Sequence, residues 1–343
     1  MFIMSIIMRL CILFLLLFVS CSSNDNRIIG DSIQKTDSIV LELGLPLTLE
    51  KAGDFLFISD IMGSDYLVQA YDVSSNDYLF SFLPKGNGPK ELSTVNGMGV
   101  FDDCIYLFDL NLERIYSYKL IDIKKDNYLT VPSNTYSYAN KGMRIWNLNR
   151  VNKGFVATGV FDSYKKFAFL NDSLDVVSFF GKFRPKPLNS IDDNIHIMAN
   201  LGMQSFSKDN HYMADILYNA ALISLYEIEN NNFEMKWEYV GEELSYEVSS
   251  NGAVVNKNNM GYISVSLTTK FVYALYSGEP DDVESIAPYG QEIHKLDIST
   301  GEIVGKYKLG RRCFSIETDE ESHKLFVLSH LPEPVVLIYD LPE

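Results

Sequence analysis

The sequence predicts an all-β chain folded as a six-bladed β-propeller, with a strand from near the N-terminus closing the last blade. Three observations predict it. Strand-forming residues dominate, with 21 Tyr and 21 Phe in 343 residues and no long helical periodicity. One unit, an alternating strand, a short polar turn and a second alternating strand, recurs at intervals of about fifty residues, the length of one propeller blade. The last unit runs out of chain before its outer strand, while a spare strand stands ahead of the first unit.

Residues 1–20 lie outside the fold. Arg9 is the only charge before the apolar run "LCILFLLLFVS", which is too short for a stable membrane span and has the shape of a secretory signal. Met8-Arg9 is an alternative start. The segment "FVSCSS" resembles a bacterial lipobox, with Phe18 in place of the usual Leu. That resemblance implies that Cys21 is diacylated and becomes the N-terminus of an envelope lipoprotein, held at the outer membrane on its periplasmic or its outer side. The other reading is an ordinary cleaved signal in which Cys21 has no role. Residues 21–36 are polar and read as a tether, and residues 37–343 as the propeller. Cys104 and Cys313 fall in non-neighbouring units and are expected as buried free thiols.

The units follow in order. "LVQAYDVSSNDYLFSF" (67–82), "KFAFLNDSLDVVSFF" (166–180), "LISLYEIENNNFEMKWEY" (222–239) and "EIHKLDISTGEIVGKY" (292–307) each carry a turn of Ser, Asn, Asp or Gly. Each follows another β-rich run, such as "DFLFISD" from Asp54 or "KFVYALY" from Lys270. "CIYLFDLNLERIYSYKL" (104–120) and "KLFVLSHLPEPVVLIYDL" (324–341) fit with looser turns. With strands a to d counted outward from the axis, "DSIVLELG" (37–44) supplies the missing outer strand and removes the exposed sheet edges of an open ring. A pair of β-sandwiches is the alternative, and the regular four-strand spacing argues against it.

"FLPKGNGPKEL" (82–92) lies where strand d of one blade crosses to strand a of the next. Gly86 and Gly88 are expected to permit positive φ, and Pro84 and Pro89 to end the strand and stiffen the crossing. A phosphate-binding loop would need a helix to follow, and a strand follows instead. The pattern Gly86, Gly88, Pro89, Glu91, Leu92 is similar to a segment of the six-bladed TolB-like propeller lipoproteins of Gram-negative bacteria. "YLFDLNLERIYSY" resembles the NHL-type blade pattern through Asp109 and Arg114, with Asn111 one place early. The resemblance implies a fold and a lipoprotein habit over residues 37–343 and little about activity. Asp60 and Asp109 end equivalent strands and read as acceptors for turn N–H groups. Glu91 and Arg114 are placed to pair.

The d–a crossings and b–c turns share one face of the ring, and the longest connections are of these kinds. That face is the expected binding face. Its candidate residues are Phe183, Arg184 and Lys186 on one crossing, Arg311 and Arg312 on another, and Asp281 and Asp282 on a b–c loop. The two basic loops, if both reached the axis, would hold an acidic group.

The net charge of −16 argues against nucleic acid. The five histidines are scattered, with no CxxC or HExxH spacing, so no metal site can be argued from them, and no Gly-x-Ser-x-Gly elbow is present. The expected function is therefore a monomeric binding or scaffold module without a cofactor, anchored to the membrane by its lipid. Its partner would be an envelope protein, a peptide or a glycan. The alternative, by analogy of fold alone, is a calcium-dependent, lactonase-like hydrolase at the axis, with Asp102, Asp103, Asp209 and Asn258 as oxygen donors.

Overall fold

In a computed structural model that describes residues 31–125, 131–139, 141–161, 163–280 and 288–342, six antiparallel sheets stand around one axis. Blade 1 runs from its inner strand outward as Pro46–Ala52, Phe55–Asp60, Tyr66–Asp72 and Tyr78–Pro84. Blade 2 is Gly97–Phe101, Cys104–Asp109, Arg114–Lys119 and Asn134–Ser137. Blade 3 is Arg144–Val151, Gly154–Val160, Phe167–Leu170 and Val176–Phe180. Blade 4 is Gln204–Phe206, Tyr212–Ile216, Leu222–Glu229 and Asn232–Val240. Blade 5 is Tyr262–Leu267, Phe271–Tyr276, Gly290–Asp297 and Ile303–Cys313.

Blade 6 has only three strands from its own stretch of chain, Ser315–Asp319, Lys324–Ser329 and Val335–Asp340. Its outer strand is Lys35–Val40, antiparallel to Val335–Asp340 with Ser38 opposite Leu337 and Ile39 opposite Val336. The expected closure is therefore present, two residues earlier than the alternating pattern suggested. Ile39 and Leu41 drop into a cluster with Leu56, Ile58, Phe326 and Leu328, so the join between chain ends is filled like any other blade interface. Each such side chain contributes about 1.5–3 kcal/mol of burial. Part of the expected tether is also docked, because Asp31–Ser32 pairs in parallel with Tyr307 and Lys308 on the outer strand of blade 5.

Burial follows strand position. The middle strand Phe55–Asp60 is buried along its whole length, since sheets pack on both of its faces. The outer strand Val176–Phe180 is exposed or half-exposed throughout. Between blades the gaps are filled largely by aromatic rings, as where Phe82 meets Tyr118 edge-on at 5.5 Å. Cys104 and Cys313 are free; Cys313 is buried as expected, while Cys104 keeps some exposure.

The crossing that contains Gly86 and Gly88 departs from expectation in one respect. Neither glycine has positive φ; the left-handed residue is Leu83, at 65°. The glycines are required by close approach, because a Cβ on Gly86 would sit 2.0 Å from Glu91 Oε2 and one on Gly88 3.0 Å from the same atom. That carboxylate accepts the Gly88 N–H at 2.9 Å. Arg114 does not pair with Glu91 but donates to the Gly88 carbonyl at 2.8 Å, and Tyr116 donates to the Pro89 carbonyl. Glu91 and Arg114 thus hold one residue from its two ends.

Candidate functional site

Asp60 and Asp109 tie b–c turns to the chain entering strand a. Asp60 accepts the N–H groups of Gly44, Leu45 and Met62. Asp109, fully buried, accepts those of Ser93, Thr94, Asn111 and Leu112. The side chain of Asn111 reaches Ser93 Oγ at 3.3 Å. All of these groups are consumed in holding the loops of the d–a and b–c face.

The same face carries two elaborated crossings. Residues 181–203, between blades 3 and 4, include the helix Asp193–Ala199, whose N-terminal N–H at Asn194 is capped by Asp192. Residues 241–261, between blades 4 and 5, include the hairpin Tyr246–Val248 with Val254–Asn256. Polar contacts bolt the two crossings together. Arg184 donates to Glu238 at 2.7 Å and to Glu243 at 2.6 Å. Within the second crossing, Asn258 donates to the Glu243 carbonyl at 2.6 Å. His196 Nδ1 lies 2.7 Å from the Tyr246 hydroxyl. Burial pushes the His196 pKa below its ordinary value, which keeps the ring neutral at pH 7. Tyr164, from the b–c loop of blade 3, stacks on His196, and Phe183 packs 5.4 Å from Tyr164.

This arrangement changes the reading of the basic residues. Arg184 is a fastener, and Lys186 is paired with Asp193 at 2.5 Å and donates to the Ile191 carbonyl. Arg311 donates to the Leu331 carbonyl. Arg312 is exposed. The expected joint anion clamp is therefore not assembled, since three of its four cations are spent on local partners. Asp281, Asp282 and Cys21 lie outside the described residues. Asp102 and Asp103 occupy the two positive-φ positions of the a–b turn of blade 2, and Asp209 caps the a–b turn of blade 4 by accepting from Ser207 and His211. Those turns lie on the opposite face from Asn258, so the donor set imagined for calcium is not brought together. Among the described residues no group of three or more His, Cys, Asp and Glu side chains is placed to hold a metal.

Two features were not legible in the sequence. The first is at the axis, on the seam where blade 6 meets blade 1. Glu50 and Glu317 sit half-buried on the inner strands of these blades. Burial raises the Glu317 carboxyl to about 8, and Ser266 donates to it at 3.2 Å. Burial, reinforced by the charge of Glu317, also pushes Glu50 well above the usual carboxylate range. The charge of Glu317 disfavours ionisation of Glu50. Beside them Lys51 and Asp319 form a buried ion pair at 2.8 Å.

The second is the seam between blades 3 and 4. Inner strands of the other neighbouring blades pack against each other around the ring, whereas those of blades 3 and 4 barely touch. Val156, Phe167, Phe169, Met213 and Tyr226 fill the lower and outer part of this seam. Its upper end opens on the elaborated face as a cleft lined by Trp146, Thr158, Lys166, Phe183, Asn200 and Gln204, among others. At its floor Lys166 donates to Asp215 at 2.5 Å and Gln204 donates to the other oxygen of Asp215 at 2.7 Å. Burial raises the Asp215 pKa, and the Lys166 ammonium opposes that shift. Lys166 and Asp215 are 49 residues apart, and no local pattern announces the pair.

Fold and loops together define a six-bladed propeller whose d–a and b–c face carries the two longest described crossings, residues 181–203 and 241–261. A sequence model of the TolB-like 6-blade propeller family matches residues 26–321, and the chain belongs to that family. No curated protein matches it. Among solved structures, a member of the duf4221 family from Bacteroides vulgatus is similar, at 11% identity and a TM-score of 0.57, covering 90% of this chain and 97% of that one. A protein from Bacteroides fragilis described as exported is similar at 11% identity and a TM-score of 0.53, covering 93% of this chain and 96% of its own. The β-propeller domain of Cps50 (Swd1) from Myceliophteria thermophila reaches a TM-score of 0.50 at 9% identity, covering 90% and 100%. At these identities the likeness is one of fold.

Proposed function

We propose that the protein is an exported, lipid-anchored envelope protein that acts as a monomeric binding module through the d–a and b–c face of its propeller. The observation that carries this reading is the platform made by residues 181–203 and 241–261. Two long crossings, fastened to each other by Arg184, Glu243, His196 and Tyr246, stand beside the cleft between blades 3 and 4. A rigid scaffold that presents fixed loops on one side is suited to recognition. The opposite face carries short turns such as Asp102–Asp103, and its longest connection, residues 120–133 of blade 2, begins with the six-residue helix Leu120–Lys125. The signal-like N-terminus, the family and the exported fold neighbour support an envelope location. The partner is an envelope protein, a peptide or a glycan.

Site-specific photo-cross-linking tests the face. A cross-linker at Lys182, exposed on the platform side, is expected to capture envelope components. One at Lys208, exposed in the a–b turn of blade 4, is expected to capture none. Equal capture from both positions, or capture from Lys208 alone, overturns the assignment. Cys21→Ser is expected to release the protein from the membrane fraction, and retention there would remove the lipid anchor.

A further inference from the structure

We propose that His196 is an acid-released latch in the binding face, locking residues 181–203 to residues 241–261 at neutral pH and freeing them when its ring gains a second proton. The proposal deepens the binding-face reading and rests on it for what the latch controls.

The joint is built around one ring. His196 lies in the helix Asp193–Ala199 and is 0% exposed, and its Nδ1 meets the Tyr246 hydroxyl of the second crossing at 2.7 Å. Tyr246 is buried too, so neither partner can turn to water for a replacement. The rings of Tyr164 and Tyr246 lie nearly parallel to the imidazole, with centroids 6.2 and 6.1 Å away, and Phe183 meets it edge-on at 6.1 Å. The other ring nitrogen, Nε2, is buried without a hydrogen-bond partner among the described residues. Whichever nitrogen carries the proton at pH 7, a second proton brings a full charge into a site that holds one neutral hydrogen bond.

The groups around the ring do not offset that cost. Burial is the largest influence and opposes the cation; the Arg184 backbone and Asp193 favour it, and Lys186 opposes it. Asp193 is itself paired with Lys186 at 2.5 Å. Tyr164, from the b–c loop of blade 3, and Tyr246 are kept neutral by burial, which raises both phenols. Glu238 and Glu243 are held by Arg184. The two tyrosine faces stand at the ~6 Å limit of cation–π support. A histidine whose pKa is lowered in the closed joint takes its proton more readily in the open one. The joint is therefore at full strength above 6.5, the ordinary value, and weakens as the pH falls below it. Histidine is the side chain that ordinarily titrates between about pH 5 and 8, which suits it to this role. Ile197, next in the helix, and Phe183 also line the cleft beside Trp146, so release loosens the cleft and separates the loops that a partner would touch.

Hydrogen exchange on the full chain, read by mass spectrometry and corrected for its intrinsic pH dependence with an unstructured peptide, follows the latch. Between pH 7.5 and 5, protection in residues 181–203 and 241–261 is expected to fall together, by up to about tenfold for each pH unit below 6.5. His196→Gln keeps an acceptor for the Tyr246 hydroxyl and cannot gain a charge, so its two crossings are expected to hold one level of protection over the same range. NMR of carbon-13-labelled histidine checks the cause in the unaltered protein. The His196 signal, identified by its absence from His196→Gln, is expected to titrate below 6.5. A His196 signal that titrates at 6.5 or above overturns the proposal, even if His196→Gln proves loose at every pH. Acid loosening that survives in His196→Gln, that appears in one crossing alone, or that fails to appear overturns it as well. Capture from Lys182 is expected to weaken in acid along with protection. Capture that ignores pH while the crossings loosen would overturn the control of binding. No capture from Lys182 at any pH, with the crossings still released by acid, would overturn the binding face and leave the latch standing.

Discussion

Replacing Glu317 by Gln should make the protein more stable at pH 8 than the wild type, and by less at pH 5. Glu317 lies at the seam that closes the ring, beside Glu50, and its carboxyl is raised by burial to about 8 from an ordinary 4.5. A carboxyl whose pKa is higher in the folded state holds its proton more tightly there. Its contribution is therefore fully present below pH 4.5 and is lost progressively as the pH climbs to about 8. At 1.36 kcal/mol per pH unit that interval corresponds to an upper bound of about 5 kcal/mol. Glu50 shares the effect and the partial exposure of Glu317 weakens it, so about 2–4 kcal/mol is the expected scale. Glutamine keeps the acceptor that Ser266 uses and cannot ionise. Urea unfolding of both proteins at pH 5, 6.5 and 8 measures the effect, because titrations elsewhere cancel in the difference. The difference should widen in favour of Glu317→Gln as the pH rises. Parallel stability curves would mean that Glu317 titrates normally and that the axial pair is solvated like a surface site.

Other substitutions probe the remaining joints. Asp109→Ala leaves four turn N–H groups without their acceptor and should cost about 3–5 kcal/mol in chemical denaturation. Gly86→Ala should displace the Glu91 carboxylate, free the Gly88 N–H and cost about 1–2 kcal/mol, although φ at Gly86 suits alanine. Ile39→Ala empties the closing interface and should lower stability by about 2–4 kcal/mol, with hydrogen exchange rising first in blade 6. Arg184→Ala should accelerate exchange in residues 181–203 and 241–261 together while global stability changes by about 1 kcal/mol. Separate behaviour of the two crossings would show that they are not one platform.

The sequence by itself determined the architecture of this protein, because blade formation depends on short-range features. Alternation over five to eight residues sets which side of a strand is buried, and turn residues set where it reverses. The alternation is visible in "FEMKWEY" (233–239) and the turn chemistry in "DVSSND". The spare strand "DSIVLELG" was legible for the same reason, as a strand with no partner in its own neighbourhood. Asp60 and Asp109 were legible as turn-holding carboxylates because most of their acceptor bonds stay within about sixteen residues along the chain.

Tertiary structure alone decided what the polar side chains are for. Arg184 has the composition of a ligand-binding residue and the geometry of a fastener, because Glu238 and Glu243 arrive from more than fifty residues away. Glu50 and Glu317 look like ordinary strand acids until ring closure sets one beside the other where burial makes charge costly. Lys166 and Asp215 meet only because two blades that part at their inner edge leave space for them. Pattern along the chain reports the local backbone, whereas charge pairing and the cleft between blades 3 and 4 depend on how six separate sheets close around an axis.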